Sequence, residues 1–269
     1  MPISRNIFYN SANLYCYYLY SYIFTSNNWK IFFQSKNKDY SIMERLIEEI
    51  PNFFTIWNVI FLAKAMGVTF LLTAIGCLVG FSVGGLLAVF RKTKSYYLLP
   101  LRFLIIVYTE IFRRIPFLVS LLLFFYVFQI MRISDNLFLI ATITVCIIAT
   151  AYIGEIIRSG IESINQTQWD AAAAMNFTYY QTLKEIIFPQ AWKVILPPAF
   201  GFFIMFIKDT ALASQIGVME LTFAAKILNN KGFSPLLSFG TILILYFILS
   251  FPLDRFGKFM ERKLASNRN

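Results

Sequence analysis

The stretch Thr167-Gln-Trp-Asp-Ala-Ala-Ala-Ala-Met-Asn176 decides how the rest of this chain is organised. It is polar and interrupted, whereas a membrane-spanning helix needs about 20 consecutive, mostly apolar residues. Apolar runs of that length flank it on both sides. We therefore predict that residues 155–220 include a loop between two spans, and that this loop has helices of its own.

Local signals predict where the first of these helices begins and ends. Thr167 and Asp170 have the spacing of a capping box, in which two side chains bond the free amides of a helix start. Ala171 to Ala174 are the strongest helix formers. Asn176 tolerates the left-handed conformation that ends a helix. The sequence thus predicts a short helix and a sharp bend.

A second helix follows at once, because Thr178 and Gln181 repeat the capping-box spacing. It runs toward Phe188, and Pro189 is expected to disturb it. Small alanine side chains on the first helix let another protein approach closely. They would equally allow packing against the chain's own spans, and the residues alone leave both interpretations open.

This loop resembles the Glu-Ala-Ala loop of ABC importer permeases, through Asp170-Ala-Ala, Asn176 and Ile187-Phe-Pro189. Asp170 replaces the usual Glu and keeps its charge. Asn176 replaces the usual Gly and still allows the bend. Phe188 replaces an apolar Leu. The resemblance implies a coupling helix on which an ATPase docks, formed by Thr167, Trp169, Asp170, Ala171, Ala172, Ala173 and Asn176.

A wider set of segments resembles the polar amino acid subfamily of these permeases, the histidine, glutamine, arginine and opine type. It includes Gly154-Glu-Ile-Ile-Arg158, Phe188-Pro-Gln-Ala191 and Lys208-Asp-Thr-Ala-Leu212. The resemblance covers about residues 55–258 and implies the type I importer fold. It also implies two cytoplasmic ATPase subunits that use the ATP, an extracytoplasmic binding protein, and a second permease subunit, identical or related.

Composition independently indicates a multi-pass membrane protein. The chain is 58% hydrophobic, 18% aromatic and only 14% charged, whereas soluble domains are about half apolar and a quarter charged. The basic residues behind the net charge of +10 are scattered among apolar runs. We therefore expect the chain to be surrounded by lipid and not to bind nucleic acid.

The sequence lacks residues that several classes of enzyme require. There is no histidine, and the three cysteines, Cys16, Cys77 and Cys146, have no metal-ligand spacing, so we interpret them as small core residues. No Gly-x-x-x-x-Gly-Lys-Ser/Thr phosphate loop occurs. We expect a non-catalytic subunit that binds no cofactor itself.

Five spans are predicted within an all-α transmembrane domain at 61–258. Their approximate bounds are 65–90, 116–131, 137–157, 194–213 and 236–253. Lysines and arginines concentrate after the first, third and fifth spans, and such segments stay in the cytoplasm. The N-terminus is therefore expected outside, and the coupling loop and the basic tail at 259–269 inside, in the cytoplasmic membrane of a bacterium.

Residues 1–60 are the least informative part. An apolar reach at 7–24 suggests one extra, weak helix, and a signal peptide is disfavoured because a basic start and a small-residue cleavage site are missing. Met43 begins a segment that resembles the usual start of the family. Within this N-terminal extension at 1–60, residues 1–42 are therefore interpreted either as an added segment of the protein or as the result of an over-long gene prediction.

Three polar or broken segments are candidates for a hinge or a substrate path. Pro116 should break the chain before the second span, with Arg113 just ahead of it. The tandem prolines Pro197 and Pro198 should break the fourth span. Lys208 and Asp209 form a pair of opposite charges at the outer end of that span. These candidates are Arg113, Pro116, Pro197, Pro198, Lys208 and Asp209.

Two structural patterns have a plainer explanation. Gly76, Gly80 and Gly84 recur every four residues, which lets two helix backbones approach within the chain or between subunits. Glu155 and Arg158 can pair at the inner end of the third span; bracing the coupling loop is the alternative.

Two other functions are considered. A carrier or channel driven by an ion gradient would need no ATPase and is expected to have an internal repeat, which this sequence lacks. An intramembrane enzyme without histidine would need a serine–lysine or paired-aspartate arrangement in the spans, and none converges.

Overall fold

The computed structural model describes residues 43–92 and 96–266, with side chains as far as residue 263. The chain divides into two units, Met1–Thr55 and Ile56–Asn269. In the first unit the described residues form one helix, α1, at residues 43–53. The predicted extension at 1–42 and its weak apolar helix at 7–24 lie outside the described residues.

The second unit consists of helices throughout its described part. Four of them are long and apolar enough to cross a bilayer, and a fifth span is possible if one bent helix pair is counted. This agrees with the all-helical class and the span number expected from composition. In chain order the helices are α2 (Ile56–Lys92), α3 (Leu99–Arg114), α4 (Phe117–Ile130), α5 (Leu137–Glu162), α6 (Gln166–Ala174), α7 (Tyr179–Ile216), α8 (Leu221–Asn230) and α9 (Pro235–Ser266).

The bent pair is α3 and α4, which meet at 111°. Ile115 is extended between them, with φ −83° and ψ 134°, as expected for a residue before proline. The Pro116 carbonyl then accepts from the amides of Val119 and Ser120 at 3.1 and 3.2 Å. The break predicted at Pro116 is therefore present. The predicted span at 116–131 is too short to cross the bilayer by itself, and α3 provides the additional apolar residues.

Helix α7 agrees with one proline prediction and differs from another. The disturbance predicted at Pro189 is present as a π-helical stretch at Thr182–Ile187, directly before it. The predicted break at the tandem prolines is wrong, because the helix from Phe188 to Asp209 continues through Pro197 and Pro198. A long helix keeps most of its other hydrogen bonds, and neighbouring helices can support the freed carbonyls.

Helix α5 is the centre of the bundle, and the glycine stripe of α2 packs against it. A Cβ on Gly84 would lie 2.8 Å from the Gly154 backbone nitrogen, and one on Gly80 would lie 2.9 Å from the Ala149 carbonyl oxygen. A Cβ on Gly76 would overlap the Val145 side chain. The stripe therefore lets two helices of the same chain approach, which is the first of the two explanations offered by the sequence.

Candidate functional site

The candidate site is the hairpin of residues 165–187, which contains α6, a turn and the start of α7. Its first cap differs from the predicted one. Asn165 is the N-cap, and its side chain accepts from the Thr167 amide at 3.0 Å. Asp170 instead accepts from the Gln166 side-chain amide at 3.0 Å. The Thr167 capping box is wrong because Asn165, an equally good capping residue, lies two positions earlier.

The bend after α6 follows the sequence prediction. Asn176 has φ 57°, the left-handed conformation that asparagine tolerates best after glycine. The Phe177 amide donates to the Ala172 carbonyl at 3.1 Å, and the Asn176 amide to the Ala173 carbonyl at 3.0 Å. These two bonds form a Schellman motif, which satisfies carbonyls at the helix end.

The second capping box is confirmed in both directions. The Gln181 amide donates to Thr178 Oγ1 at 3.3 Å, and the Thr178 amide donates to Gln181 Oε1 at 2.9 Å. Helix α7 therefore begins at Tyr179, three residues after the bend at Asn176. The reversal of the chain is fixed by local hydrogen bonds on both sides of the turn.

Side chains also join the two arms of the hairpin. The rings of Trp169 and Tyr179 stack with centroids 6.1 Å apart and 22° between their planes. The Gln190 side-chain amide donates to Gln168 Oε1 at 3.3 Å. Contacts of this kind favour movement of α6 and the first turns of α7 as one body.

The alanines of α6 differ in their exposure. Ala172 is fully buried within the chain, whereas Ala171 and Ala173 are exposed, as are Thr167, Asp170 and Asn176. Trp169 is half-buried by the ring contact. Packing against the chain's own interior therefore applies to Ala172, and an open surface remains on its neighbours.

The hairpin continues into the hydrophobic core of the bundle. Leu183, Ile187, Ala191 and Ile195 of α7 belong to the same buried cluster as the α5 residues Ile153, Ile157 and Ile161. A Cβ on Gly160 would overlap Ile195, so α5 and α7 approach closely here. Because the interior is close-packed, a displacement of the hairpin is transmitted to both helices.

A cluster of charges joins three helix ends beside the hairpin. Glu155 of α5 contacts Arg91 of α2 at 2.8 Å, Arg158 at 2.6 Å, and Arg113 of α3 at 3.4 Å. Lys92 contacts Glu162 at 3.1 Å, and Glu162 also pairs with Arg158. The predicted Glu155–Arg158 pair is thus confirmed as part of a larger network.

A polar cavity of about 300 Å³ opens beside this network. Arg113 lines it, and its Nε is buried without a hydrogen-bond partner among the described residues. Pro198 lines it from α7, where its missing amide hydrogen cannot bond the Val194 carbonyl. The remaining lining residues are Tyr152, Glu155, Ile156, Ser159, Gly160 and Val194.

The cavity brings together two of the six hinge and path candidates, Arg113 and Pro198, which are 85 positions apart in the sequence. Pro116 forms the α3–α4 bend, and Pro197 lies next to Pro198 in α7. Lys208 and Asp209 end the regular part of α7. They do not line the cavity.

Some residues of this site were missed from the sequence. Asn165 was not predicted because it caps α6 alone, whereas Thr167 and Asp170 have the more distinctive spacing of a capping box. Arg91 was counted only as a topology signal, although it reaches Glu155 across 64 positions. Long-range pairs of this kind have no local pattern, so only the packing of α2 on α5 reveals them.

Comparison with known proteins gives three consistent results. Residues 80–266 match the family model described as "Binding-protein-dependent transport system inner membrane component". The L-cystine transport system permease protein TcyB of Bacillus subtilis is 34% identical over 194 residues, covering 72% of this chain and 82% of that protein. The putative glutamine transport system permease protein GlnP of Rickettsia prowazekii is 31% identical over 215 residues, covering 78% and 95%.

A solved structure is similar over most of the same region. It is the crystal structure of an amino acid ABC transporter with histidines, which superimposes with a TM-score of 0.71 at 26% identity. The match covers 77% of this chain and 96% of the solved chain. The helices described above therefore have the arrangement of that transporter chain.

Proposed function

This chain belongs to the family of binding-protein-dependent transport system inner membrane components, and we propose that it is the permease subunit of an ATP-driven importer for a polar or charged amino acid. Relatives whose names refer to cystine and glutamine transport support the substrate class. The chain has no phosphate-loop sequence of its own. The energy would therefore come from separate ATPase subunits, and this chain would be neither an enzyme nor a cofactor-binding protein.

The observation that carries this proposal is the 165–187 hairpin. It is capped at both ends, closed by the Trp169–Tyr179 stack, and continuous with the membrane helix α7. A structure of this kind can receive a push at its exposed surface and pass it to α5 and α7 through their shared core. An ion-driven carrier has no evident use for it.

The assembly would contain two permease chains, identical or related, two cytoplasmic ATPases and an extracytoplasmic binding protein. The distribution of basic residues supports an orientation with the N-terminus outside and the C-terminus inside. ATP binding would close the ATPases against the exposed part of α6. The bundle would then change from an inward-open to an outward-open state, a two-state equilibrium biased by nucleotide.

The polar cavity is the proposed part of the substrate path. Its lining includes Arg113, whose Nε, without a hydrogen-bond partner among the described residues, is the group proposed to attract the carboxylate of an amino acid, whereas Glu155 is already paired with arginines. Its volume of about 300 Å³ is at the lower limit of small-molecule pockets. Lys208 and Asp209, at the other end of α7, are proposed to lie near the outer entrance.

The docking role is tested with a charge on the exposed surface of α6. Ala173→Glu adds bulk and charge at an exposed position, and we expect it to abolish co-purification of the ATPase and ATP-dependent uptake while the permease still folds. Ala172 is unsuitable because it is fully buried, so a failure there would only report misfolding. The matched control is Ile133→Glu, an exposed position in the connection between α4 and α5.

Retention of the ATPase and of uptake by Ala173→Glu would contradict the docking role. A separate measurement addresses the ion-driven alternative. Uptake by the lone chain in vesicles that contain an ion gradient but no ATP would favour a secondary carrier or channel. We expect uptake only when the ATPase subunits, ATP and the binding protein are all present.

A further inference from the structure

A short helix lies at the opposite end of α7 from the hairpin. It is α8, Leu221–Asn230, in a region where the sequence suggested only a connecting loop before the last span. Glycines with positive φ flank it, Gly217 at 93° and Gly232 at 103°. Its apolar side is fully buried, at Leu221, Ala224, Ala225 and Leu228.

The residue before α8, Glu220, is a completely buried carboxylate. It is the N-cap of α8, and its Oε1 accepts from the Phe223 amide at 2.8 Å. Its Oε2 accepts from the Tyr246 hydroxyl of α9 at 2.8 Å. The carboxylate therefore links the start of α8 to the last span.

Neighbouring polar groups extend this link to α2. The Leu221 amide donates to Thr69 Oγ1 of α2 at 3.2 Å, and the hydroxyls of Thr222 and Tyr246 are 3.1 Å apart. We refer to Thr69, Glu220, Thr222 and Tyr246 as the outer polar cluster. It joins α8 to both the first and the last span.

The outer polar cluster contains no salt bridge. None of the ion pairs among the described residues includes Glu220, and Lys226 donates to Ser214 Oγ at 3.1 Å. Burial raises the pKa of Glu220, whereas its hydrogen bonds and the charge of Lys226 act in the opposite direction. Burying a carboxyl group is costly unless its hydrogen bonds are satisfied, and apolar residues would fill the same space at lower cost.

The location of the cluster connects it to transport. The regular part of α7, Phe188–Asp209, has 22 residues, which span about 33 Å and thus the thickness of the hydrocarbon core. The hairpin precedes this segment and α8 follows it. Under the proposed orientation, α8 therefore lies on the outer side of the membrane, the side from which the substrate enters.

We propose that Glu220 is a positioning residue that holds α8 as part of the outer gate, so that this gate opens only when the ATPases drive it. The proposal rests on the proposed function. The glycines at both ends of α8 allow its backbone to pivot, and its apolar contacts are not directional. The hydrogen bonds of Glu220 are directional, so they fix where α8 sits.

The test compares two variants that each remove one partner of the same hydrogen bond. Tyr246→Phe removes only the hydroxyl, and Glu220→Gln keeps the size of the side chain but not both acceptor oxygens. The matched control is Thr241→Val on α9. Among the residues that the structure describes, the Thr241 hydroxyl bonds only the Leu237 carbonyl of its own helix, at 2.7 Å. Each chain is reconstituted in proteoliposomes with its ATPase and binding protein, and uptake of a panel of radiolabelled polar amino acids is measured with ATP hydrolysis.

We expect both variants to hydrolyse ATP within twofold of the wild type and to transport about fivefold less amino acid per ATP. The loss of one ordinary hydrogen bond changes the equilibrium between the closed and open gate by about this factor. The control should keep the wild-type ratio. Because both variants break the Tyr246–Glu220 bond, the double variant should lose clearly less than the sum of the two single losses. The sum itself need not be twice one loss, because Tyr246 also contacts Thr222 and Glu220 also accepts from the Phe223 amide.

Two outcomes would overturn the proposal. One is an unchanged ratio of uptake to ATP hydrolysis in both variants, including a proportional fall of both rates, and the other is a loss in the double variant equal to the sum of the two single losses. If Glu220→Gln fails to accumulate, Tyr246→Phe carries the test alone, because its ring still fills the same space. A wild-type complex without any ATP-dependent uptake would instead contradict the proposed function itself.

Discussion

Different polar networks lie near the two ends of α7. Near the hairpin, Glu155 pairs with three arginines, and the four side chains are between 16% and 35% exposed. At the α8 end, Glu220 has no exposure and is held by hydrogen bonds alone. A partly hydrated ionic network can exchange partners at small cost, whereas a buried carboxylate loses its bonds all at once.

This difference suits the proposed roles of the two ends. The hairpin end must move when an ATPase docks, and its arginines can exchange partners during that movement. The α8 end must stay closed until it is driven, which favours few, buried and directional bonds. The following predictions test that contrast, in order of decreasing effect.

The largest effect is expected at the centre of the ionic network. Glu155→Ala would remove several charge-assisted hydrogen bonds at once and leave three arginines facing one another, so we expect a loss of about 3 kcal/mol in the free energy of unfolding. Glu155→Gln should lose less, because it still accepts hydrogen bonds. Thermal unfolding in detergent measures both. Equal stability of Glu155→Ala and the wild type would mean that the network is not structural.

The outer end should respond nearly as strongly to the loss of one side chain. Glu220→Ala leaves the Tyr246 hydroxyl and the Phe223 amide without their acceptor, and we expect a loss of about 2 kcal/mol. Added salt should not change this loss, because no ion pair is involved. A loss that disappears in 0.5 M NaCl would contradict the contrast between the two ends.

The bend of the hairpin gives the next effect. Asn176→Val puts a β-branched residue at φ 57°, which should cost about 1.5 kcal/mol of stability. Asn176→Gly should be neutral or slightly stabilising, because glycine adopts that conformation freely. The pair is compared by thermal unfolding. Tolerance of valine with a normal melting temperature would mean that the bend has another conformation.

The cap of α6 can be assigned by two single substitutions. Asn165→Ala removes the acceptor of the Thr167 amide and should cost about 1 kcal/mol. Thr167→Ala should cost almost nothing, because it replaces a residue inside the helix with a better helix former. The opposite ranking of the two variants in thermal unfolding would restore the capping box first expected at Thr167.

The smallest effect is expected at the rim of the ionic network. Lys92 and Glu162 have side chains 34% and 39% exposed, so Lys92→Ala should cost only about 0.5 kcal/mol. That cost should vanish at about 1 M salt, where screening acts within roughly 3 Å. A larger, salt-independent loss would show that the rim is as rigid as the outer end.

The sequence was informative where the controlling interaction is local. The left-handed Asn176, the capping box of Thr178 and Gln181, and the break at Pro116 all depend on residues within four positions of one another, and the structure has each of them. The Thr167 box failed because two capping residues compete within three positions. The continuous helix at Pro197 and Pro198 shows that tertiary support can override a local preference.

Non-local features were not predictable in the same way. The Arg91–Glu155 pair spans 64 positions and the Leu221–Thr69 bond spans 152, so neither has a sequence pattern. The burial of Ala172 beside exposed Ala171 and Ala173 depends on how the hairpin docks on the bundle. Helix α8 was missed because its surroundings were interpreted only through their charge.

The central claim is that the exposed surface of α6 faces the cell interior and receives a separate ATPase. The most direct measurement is labelling of Ala173→Cys, in a chain whose native cysteines are replaced, with a maleimide that cannot cross membranes. We predict labelling in inside-out vesicles, protection there by bound ATPase, and no labelling in right-side-out cells. Labelling only from the exterior would contradict the claim.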